Sequence, residues 1–204
     1  GGVILEYTPA VDIIVEGGKV KGVKTPQGII YADVVVSAAG PQTPKIGQMV
    51  GVDIPVAAVR LEAAITAPIP PLFEIAMIAN GLSVRQTKRG NLHINGGPHE
   101  WVATDLTTES PKPNTPILRN MAKRLVQLLP SVSSVPIIRT WAGIVDVTPD
   151  QVCIIDRLTS PEGMIVAVSS GHGFGMGVSM GLAISELALE GKTSMPVEGL
   201  GLAR

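Results

Sequence analysis

Between Met164 and Gly191 the chain passes from an apolar run, Met164 to Ser169, into Ser170-Gly171-His172-Gly173-Phe174-Gly175-Met176-Gly177 and then into a long apolar segment that stops at Gly191. Such an order reads as a strand, a glycine-rich loop and a helix closed by glycine. It gathers free backbone N–H groups and the positive end of a helix at one spot, so an anionic or hydrogen-bond-accepting ligand is the physical expectation there. The loop does not satisfy G-x-G-x-x-G, and no other segment places that fingerprint after a strand, so a complete dinucleotide site is not encoded. Glycines that only permit tight turns and close helix packing are the competing explanation.

Composition narrows the function classes. Of 204 residues 45% are apolar and 16% charged, with a net charge of −1. A chain of this length buries roughly 70% of its extended surface on folding, enough for one large core or two modest ones. The near-neutral charge leaves no electrostatic footprint for nucleic acid. The single Cys153 and the scattered His93, His99 and His172 show no zinc-ligand spacing, so no metal site is expected, and no internal disulfide is possible. A reducing, cytoplasmic setting follows as an expectation. The apolar segment Met176 to Leu189 is interrupted by Gly177, Ser179, Gly181, Ser185 and Glu186 and is too short for a bilayer, so no membrane span is expected. The opening Gly1-Gly2-Val3-Ile4-Leu5 has no charged leader pattern and reads as starting inside a domain.

Along the chain, Val11 to Glu16, the turn Gly17-Gly18 and Lys19 to Lys24 predict a hairpin. A second turn at Pro26-Gln27-Gly28 leads to Ile29-Ile30-Tyr31 and then to Val34-Val35-Val36-Ser37-Ala38-Ala39-Gly40. The valine run, apolar on both faces, suits a buried parallel strand with a ligand past its carboxyl end. After Gly40-Pro41, strand-like runs at 56–66, 72–78, 82–86 and 91–95 are separated by Pro68-Ile69-Pro70-Pro71, Asn80-Gly81, Lys88-Arg89-Gly90 and Gly96-Gly97-Pro98, which predicts an antiparallel sheet. The proline-rich stretch Ser110 to Pro116 precedes an amphipathic helix with Leu118, Met121, Leu125 and Leu128 on one face and Arg119, Lys123 and Arg124 opposite. Segments at 137–150, 152–155 and 164–169 then lead into the glycine-rich loop.

Four ordered patterns resemble the C-terminal half of FAD-dependent amine and amino-acid oxidoreductases of the D-amino-acid oxidase and sarcosine oxidase (DAO) type. They are Gly18 to Thr25 with Ala32 to Gly40; Arg85-Gln86 with Gly90-Asn91-Leu92-His93-Ile94; Arg139-Thr140-Trp141-Ala142-Gly143 with Thr148-Pro149-Asp150; and Ser170-Gly171-His172-Gly173-Phe174. The resemblance implies a mixed α/β to α+β chain: a partial, Rossmann-like FAD-binding domain with an inserted antiparallel-sheet substrate domain. Residues 1–45 would belong to the FAD domain, 46–137 to the substrate domain and 138–204 to the return into the FAD domain. The nucleotide-binding portion with its G-x-G-x-x-G turn would be missing or carried by a partner chain.

Gly40, Gly143, Gly171, His172, Gly173, Phe174 and Gly175 are the positions that the resemblance places at the flavin, and Arg85 and His93 those toward an amine or amino-acid substrate. Monomeric sarcosine oxidases carry a flavin-linking cysteine where alignment on Thr148-Pro149-Asp150 puts Gly143, so FAD is expected to be noncovalent. Their lysine after Gly-His-Gly-Phe corresponds to Gly175, and the carboxylate-binding arginine of glycine and D-amino-acid oxidases corresponds to Val145. The implied activity is oxidation of a C–N bond by hydride transfer to flavin. A non-catalytic subunit or ligand-binding module on the same scaffold, or a truncated fragment, is the other reading.

Each singled-out residue also has a plain structural role. His172 between glycines suits a backbone hydrogen bond as well as a flavin contact, and His93 on a strand suits a satisfied structural histidine. Arg85 and Arg139 suit surface or ion-paired roles as well as a carboxylate clamp. Trp141 is expected in core packing, Cys153 as a buried inert thiol, and Asp146 and Asp150 as shapers of the turn at Pro149.

Overall fold

A computed structural model describes residues 1–105 and 111–204, and Ser110 of the expected proline-rich lead-in lies outside the described residues. The chain forms two compact units, one comprising Gly1–Ala58, residues 103–105 and Asp146–Arg204, the other Val59–Val102 and residues 111–145. The crossings at 58/59 and 145/146 lie within long strands, while the resemblance implies domain boundaries at 45/46 and 137/138.

The first unit begins with β1 (Asp12–Glu16), β2 (Lys19–Thr25), β3 (Gly28–Tyr31), β4 (Val35–Ser37) and the short α1 (Thr43–Met49). The second unit is built on β5 (Ala57–Pro68), β6 (Met77–Ala79), β7 (Leu82–Gln86), β8 (Asn91–Val102), α2 (Thr115–Leu128) and β9 (Ile137–Val147). The chain then completes the first with β10 (Ile154–Arg157), β11 (Met164–Val168) and α3 (Gly173–Glu190).

In the first unit the predicted hairpin is present: Gly17 and Gly18 both take positive φ, at 58° and 75°, as a two-residue turn between right-twisted strands requires. A second sheet has the order β10-β11-β4, with β11 antiparallel to β10 and parallel to β4. All five residues of β11 are buried, because both faces are covered. Ile165 and Ala167 pack in one cluster with Met180, Ala183 and Leu187 of α3. Met164 packs with Ile13, Val20, Val35 and Ile46, and Val166 and Val168 pack with Ile54 and Ile154. Strand alternation thus assigns the two sets of side chains to opposite layers. The valine run is corrected in one respect: β4 is parallel, as expected, but Val36 is 39% exposed, because β4 is the sheet's outer strand.

In the second unit the five-stranded sheet has the order β6-β7-β8-β5-β9. Leu82, Val84, Leu92 and Ile94 form one apolar face that packs on Ile117, Met121 and Leu125 of α2. The helix begins at Asn114, whose side-chain oxygen accepts from the Ile117 N–H at 3.3 Å. Glu62 of β5, fully buried, accepts from the Asn114 N–H at 3.1 Å and from Arg60 Nε at 2.9 Å, which fixes the helix start to the sheet. Two readings change. The run at 72–78 is strand only at Met77–Ala79, since Pro70 and Pro71 supply no ladder donors just before it. Gly96-Gly97-Pro98, read as a breaker, lies inside β8. Gly96 takes φ 111° with its Cα facing the Gly81 carbonyl so closely that a Cβ would lie 2.6 Å from that oxygen, so glycine carries the strand through.

Leu92→Ala removes a completely buried side chain from the sheet–α2 core and is expected to lower stability by about 3 kcal/mol in urea denaturation. Ile78→Ala, at an 88% exposed position of β6, is expected to change it by less than about 0.5 kcal/mol.

Candidate functional site

The glycine-rich loop leaves the carboxyl end of β11, and the segment reaching Gly40 leaves the carboxyl end of the parallel β4 beside it, with Val166 opposite Ser37. One sheet end therefore receives both segments. Ser170 and Gly171 turn the chain with left-handed φ of 50° and 80°, a conformation that costs a serine about 1 kcal/mol. What stabilises the turn is Asp146, at the end of β9 and buried. Its Oδ2 accepts from the Ser169 N–H at 3.0 Å, the Ser170 N–H at 2.8 Å and the Ser169 hydroxyl at 3.1 Å. The Thr148 hydroxyl donates to the Val152 carbonyl at 2.8 Å, which leaves Ser170 Oγ as the donor in the 2.8 Å bond between the two hydroxyls. Ser170 Oγ in turn accepts from the Thr148 N–H at 3.1 Å. A carboxylate accepting several backbone N–H groups makes strong, charge-assisted bonds. Asp146 is thus no mere turn former, because its carboxylate points back to the loop two strands later in sequence.

Helix α3 starts at Gly173 after His172, and no side chain among the described residues caps it. The Met176 N–H already bonds the His172 carbonyl, so the N–H groups of Gly173, Phe174 and Gly175 are the donors of the first turn that have no partner among the described residues. Gly173 is packed, since a Cβ would lie 3.0 Å from Ser169 Oγ, whereas a Cβ at Gly175 or Gly177 would meet nothing within 4 Å. The Phe174 ring is fully exposed. The His172 imidazole is also exposed and makes no hydrogen bond among the described residues, while its N–H donates to the Ser169 carbonyl at 3.1 Å. Gly40 takes φ 53° with open space on its Cβ side. Flanking it, the hydroxyls of Ser37 and Thr43 are buried without a hydrogen-bond partner among the described residues. An unpaired buried hydroxyl is costly, and such groups are usually satisfied by a ligand or an ordered water. Asp150 does shape the turn after Pro149, accepting from the Val152 N–H at 3.1 Å. It is also gripped by Arg204 at 2.7 and 3.2 Å, and that guanidinium first, then the Val152 N–H, holds its carboxyl well below the usual carboxylate range.

In the second unit Arg85 of β7 lies directly opposite His93 of β8. The His93 ring meets Trp141 of β9 with centroids 5.4 Å apart, and the Arg139 guanidinium stands 5.6 Å from the same indole. Trp141 is therefore not core packing: it is 37% exposed and builds, with His93, an aromatic patch flanked by two cations. Partial burial first, and then the Arg85 cation, lower the His93 pKa below its ordinary value, so the imidazole is neutral at neutral pH. Gly143, on the same strand as Trp141, has open space around a Cβ, so nothing in its own unit demands glycine. Cys153 is buried in the core beneath α3 and is out of reach of a ligand. Among the described residues no group of His, Cys, Asp or Glu is arranged to hold a metal ion.

Residues 1–187 match the family model described as DAO, FAD dependent oxidoreductase. The chain is 28% identical over 204 residues to the sarcosine oxidase subunit beta of Rhodobacter capsulatus, covering 98% of this chain and 48% of that protein. It is 26% identical over 162 residues to the hydrogen cyanide synthase subunit HcnC of Pseudomonas protegens, covering 78% of this chain and 37% of that protein. Among solved structures, L-proline dehydrogenase from P. horikoshii superposes with a TM-score of 0.84 at 31% identity, covering 98% of this chain and 54% of that one. Glycine oxidase from Geobacillus kaustophilus, at 23% identity, shares the fold with a TM-score of 0.86 over 98% of this chain and 53% of that one. The chain spans about half the length of the curated relatives it matches.

Asp146→Ala strands three donors and is expected to cost about 3 kcal/mol of stability, with faster amide exchange from Ser169 to Gly175 as the local readout. For His93, an NMR titration is expected to give a midpoint below the ordinary histidine value, and Arg85→Ala is expected to raise it. Because the folded state resists charging this imidazole, the unfolded chain takes up the proton first as pH falls through the histidine range. Stability is then lost on acidification in that window, and His93→Gln removes this component of the loss.

Proposed function

The chain belongs to the DAO family of FAD-dependent oxidoreductases, and on that premise we propose that it forms the flavin-edge and substrate-facing portion of an enzyme that oxidises the C–N bond of an amino acid or secondary amine. The observation that carries this reading is the delivery of Gly40 and the uncapped start of α3 to one end of a parallel strand pair. Ligands of open α/β sheets lie beyond the carboxyl ends of the strands. The residues present fit FAD: the N–H groups of Gly173, Phe174 and Gly175, without partners among the described residues, suit a hydrogen-bond-accepting ligand, and the open backbone at Gly175 leaves room for a ring against it.

When bound, FAD supplies the two-electron acceptor for the amine, and the protein's share is binding, orientation and electrostatics. Gly171, His172, Gly173, Phe174 and Gly175 would line the ring and Gly40 would lie close to the cofactor. The N–H groups at the start of α3 favour negative charge placed there, by roughly 0.3 to 2 kcal/mol. Gly143, where related sarcosine oxidases carry a linking cysteine, and the burial of Cys153 support noncovalent binding. Toward the substrate, the exposed Arg85 offers a guanidinium fork for a carboxylate. His93, neutral beside it, accepts a hydrogen bond or a proton from an amine nitrogen at one of its ring nitrogens. Names among the relatives, sarcosine oxidase, glycine oxidase, D-amino acid dehydrogenase and L-proline dehydrogenase, agree with a small amine or amino-acid substrate.

The rest of the flavin site, including a G-x-G-x-x-G turn, is supplied by a nucleotide-binding portion outside these 204 residues, on the same or a partner polypeptide. Helix α3 supports this. Its inner side packs on β11, yet Phe174, Val178, Leu182 and Leu189 on its other side are exposed, and a helix apolar all round is one that is covered in the complete protein. No helix among the described residues is long and apolar enough to cross a membrane.

Purification of the assembly containing this chain, followed by anaerobic addition of sarcosine, glycine, L-proline or D-alanine, is the test. Bleaching of the visible flavin band by one of these amines, with acid precipitation releasing the flavin, is the expected result. The isolated chain is expected to be colourless; stoichiometric flavin on it alone, or a flavin assembly that no amine reduces, overturns the proposal.

A further inference from the structure

The second unit carries a cavity that this function does not use. It lies where the segment 69–74 folds over the β7–β8 turn, and its volume is about 520 Å³, within the range of small-molecule sites. Gln86, which lines it, follows Arg85 in β7, and alternation along a strand sends the two side chains to opposite faces of the sheet. The cavity is therefore not the Arg85–His93–Trp141 surface.

Its walls are built rather than incidental. The Gln86 amide donates to the carbonyls of Ile69, Pro70 and Gly90 at 3.3, 3.0 and 3.0 Å, and its oxygen accepts from the Leu72 N–H at 2.7 Å. The Ile69 N–H donates to the Gly90 carbonyl at 3.1 Å. Gly90, at φ 92°, sits so close to this strap that a Cβ would lie 2.4 Å from the Ile69 carbonyl oxygen. Pro70 and Pro71 restrict the backbone between these bonds. A cavity stitched this way is largely pre-formed, which lowers the ordering cost of binding.

The lining has two characters. Ile69 and Phe73, both packed on the α2 core, give an apolar floor that Pro71 extends. Lys88 and Arg89, at the tip of the turn, are exposed and make no ion pair among the described residues, while Glu74 is the single acidic residue of the lining. The net charge at the rim is thus positive. We propose that this cavity binds a small organic anion, with a flat apolar body against Phe73 and Pro71 and a carboxylate held by Lys88 and Arg89. Its geometry suits an arene carboxylate better than a bare inorganic anion, because the apolar floor gains nothing from the latter.

The test uses the full ¹⁵N-labelled chain and 2-naphthoate, with neutral 2-naphthamide and inorganic phosphate as comparisons. Naphthoate is expected to shift the amides of residues 69, 72–74 and 86–90 and to bind about tenfold more tightly than naphthamide, the factor that one charge-assisted contact supplies. Lys88→Ala/Arg89→Ala, both at exposed positions, is expected to abolish that preference while leaving the spectrum otherwise folded. The proposal is overturned if naphthoate leaves those amides unmoved, if it shifts only α3, if naphthamide binds equally well, or if phosphate alone produces the same shifts.

Discussion

A single buried carboxylate sets the geometry on which the first unit's candidate site depends. Asp146 accepts from two consecutive backbone N–H groups and a hydroxyl of Ser169 and Ser170, and so holds the left-handed turn at Ser170 and Gly171 that aims the start of α3. The interaction works because β11, buried on both faces, fixes where the loop begins. A strand that slid by one residue would exchange two apolar layers of different side-chain sizes, which close packing resists. Packing thus fixes the strand, the strand fixes the loop, and the carboxylate fixes the turn. What emerges is a helix N-terminus whose first N–H groups have no partner among the described residues.

Helix α3 links this geometry to the wider protein. Its buried stripe, Met180, Ala183 and Leu187, accounts for only one side of an apolar helix. Glycines at 177 and 181 with open space beside them and exposed Val178 and Leu182 give the opposite side a flat surface suited to close packing. The chain spans about half the length of the relatives it matches, and such a surface is physically sensible where a second layer closes over it. The same logic accounts for Val36 on the outer strand of a sheet otherwise buried.

Much of this was legible from residue pattern. The glycine pair at 17–18, the apolar run at 164–168, the amphipathic period of α2 and the stop at Gly191 each act locally, and local physics reads directly from sequence. What escaped reading was long-range. Asp146 and the Ser169–Ser170 pair are more than twenty residues apart, and nothing in an Asp-Val-Thr-Pro turn says that its first side chain faces backward. Trp141 looked like core because tryptophan usually is; only the registration of β9 puts its ring against His93 and under Arg139. Gly96 and Gly97 looked like punctuation because glycine usually ends a strand, whereas here the close approach of the Gly81 carbonyl demands it within one. The hydroxyls of Ser37 and Thr43 carry no sequence signal, since their interest lies in burial without a partner among the described residues.

The proposed function requires the amides at the start of α3 to be donors that meet the flavin. Hydrogen exchange at Gly173, Phe174 and Gly175 in the flavin-bearing assembly, compared before and after removal of FAD, addresses this directly. Slow exchange at these three amides that becomes fast once the flavin is gone, while β11 stays protected, is the predicted result. Exchange at the three positions that is the same with and without FAD contradicts the account.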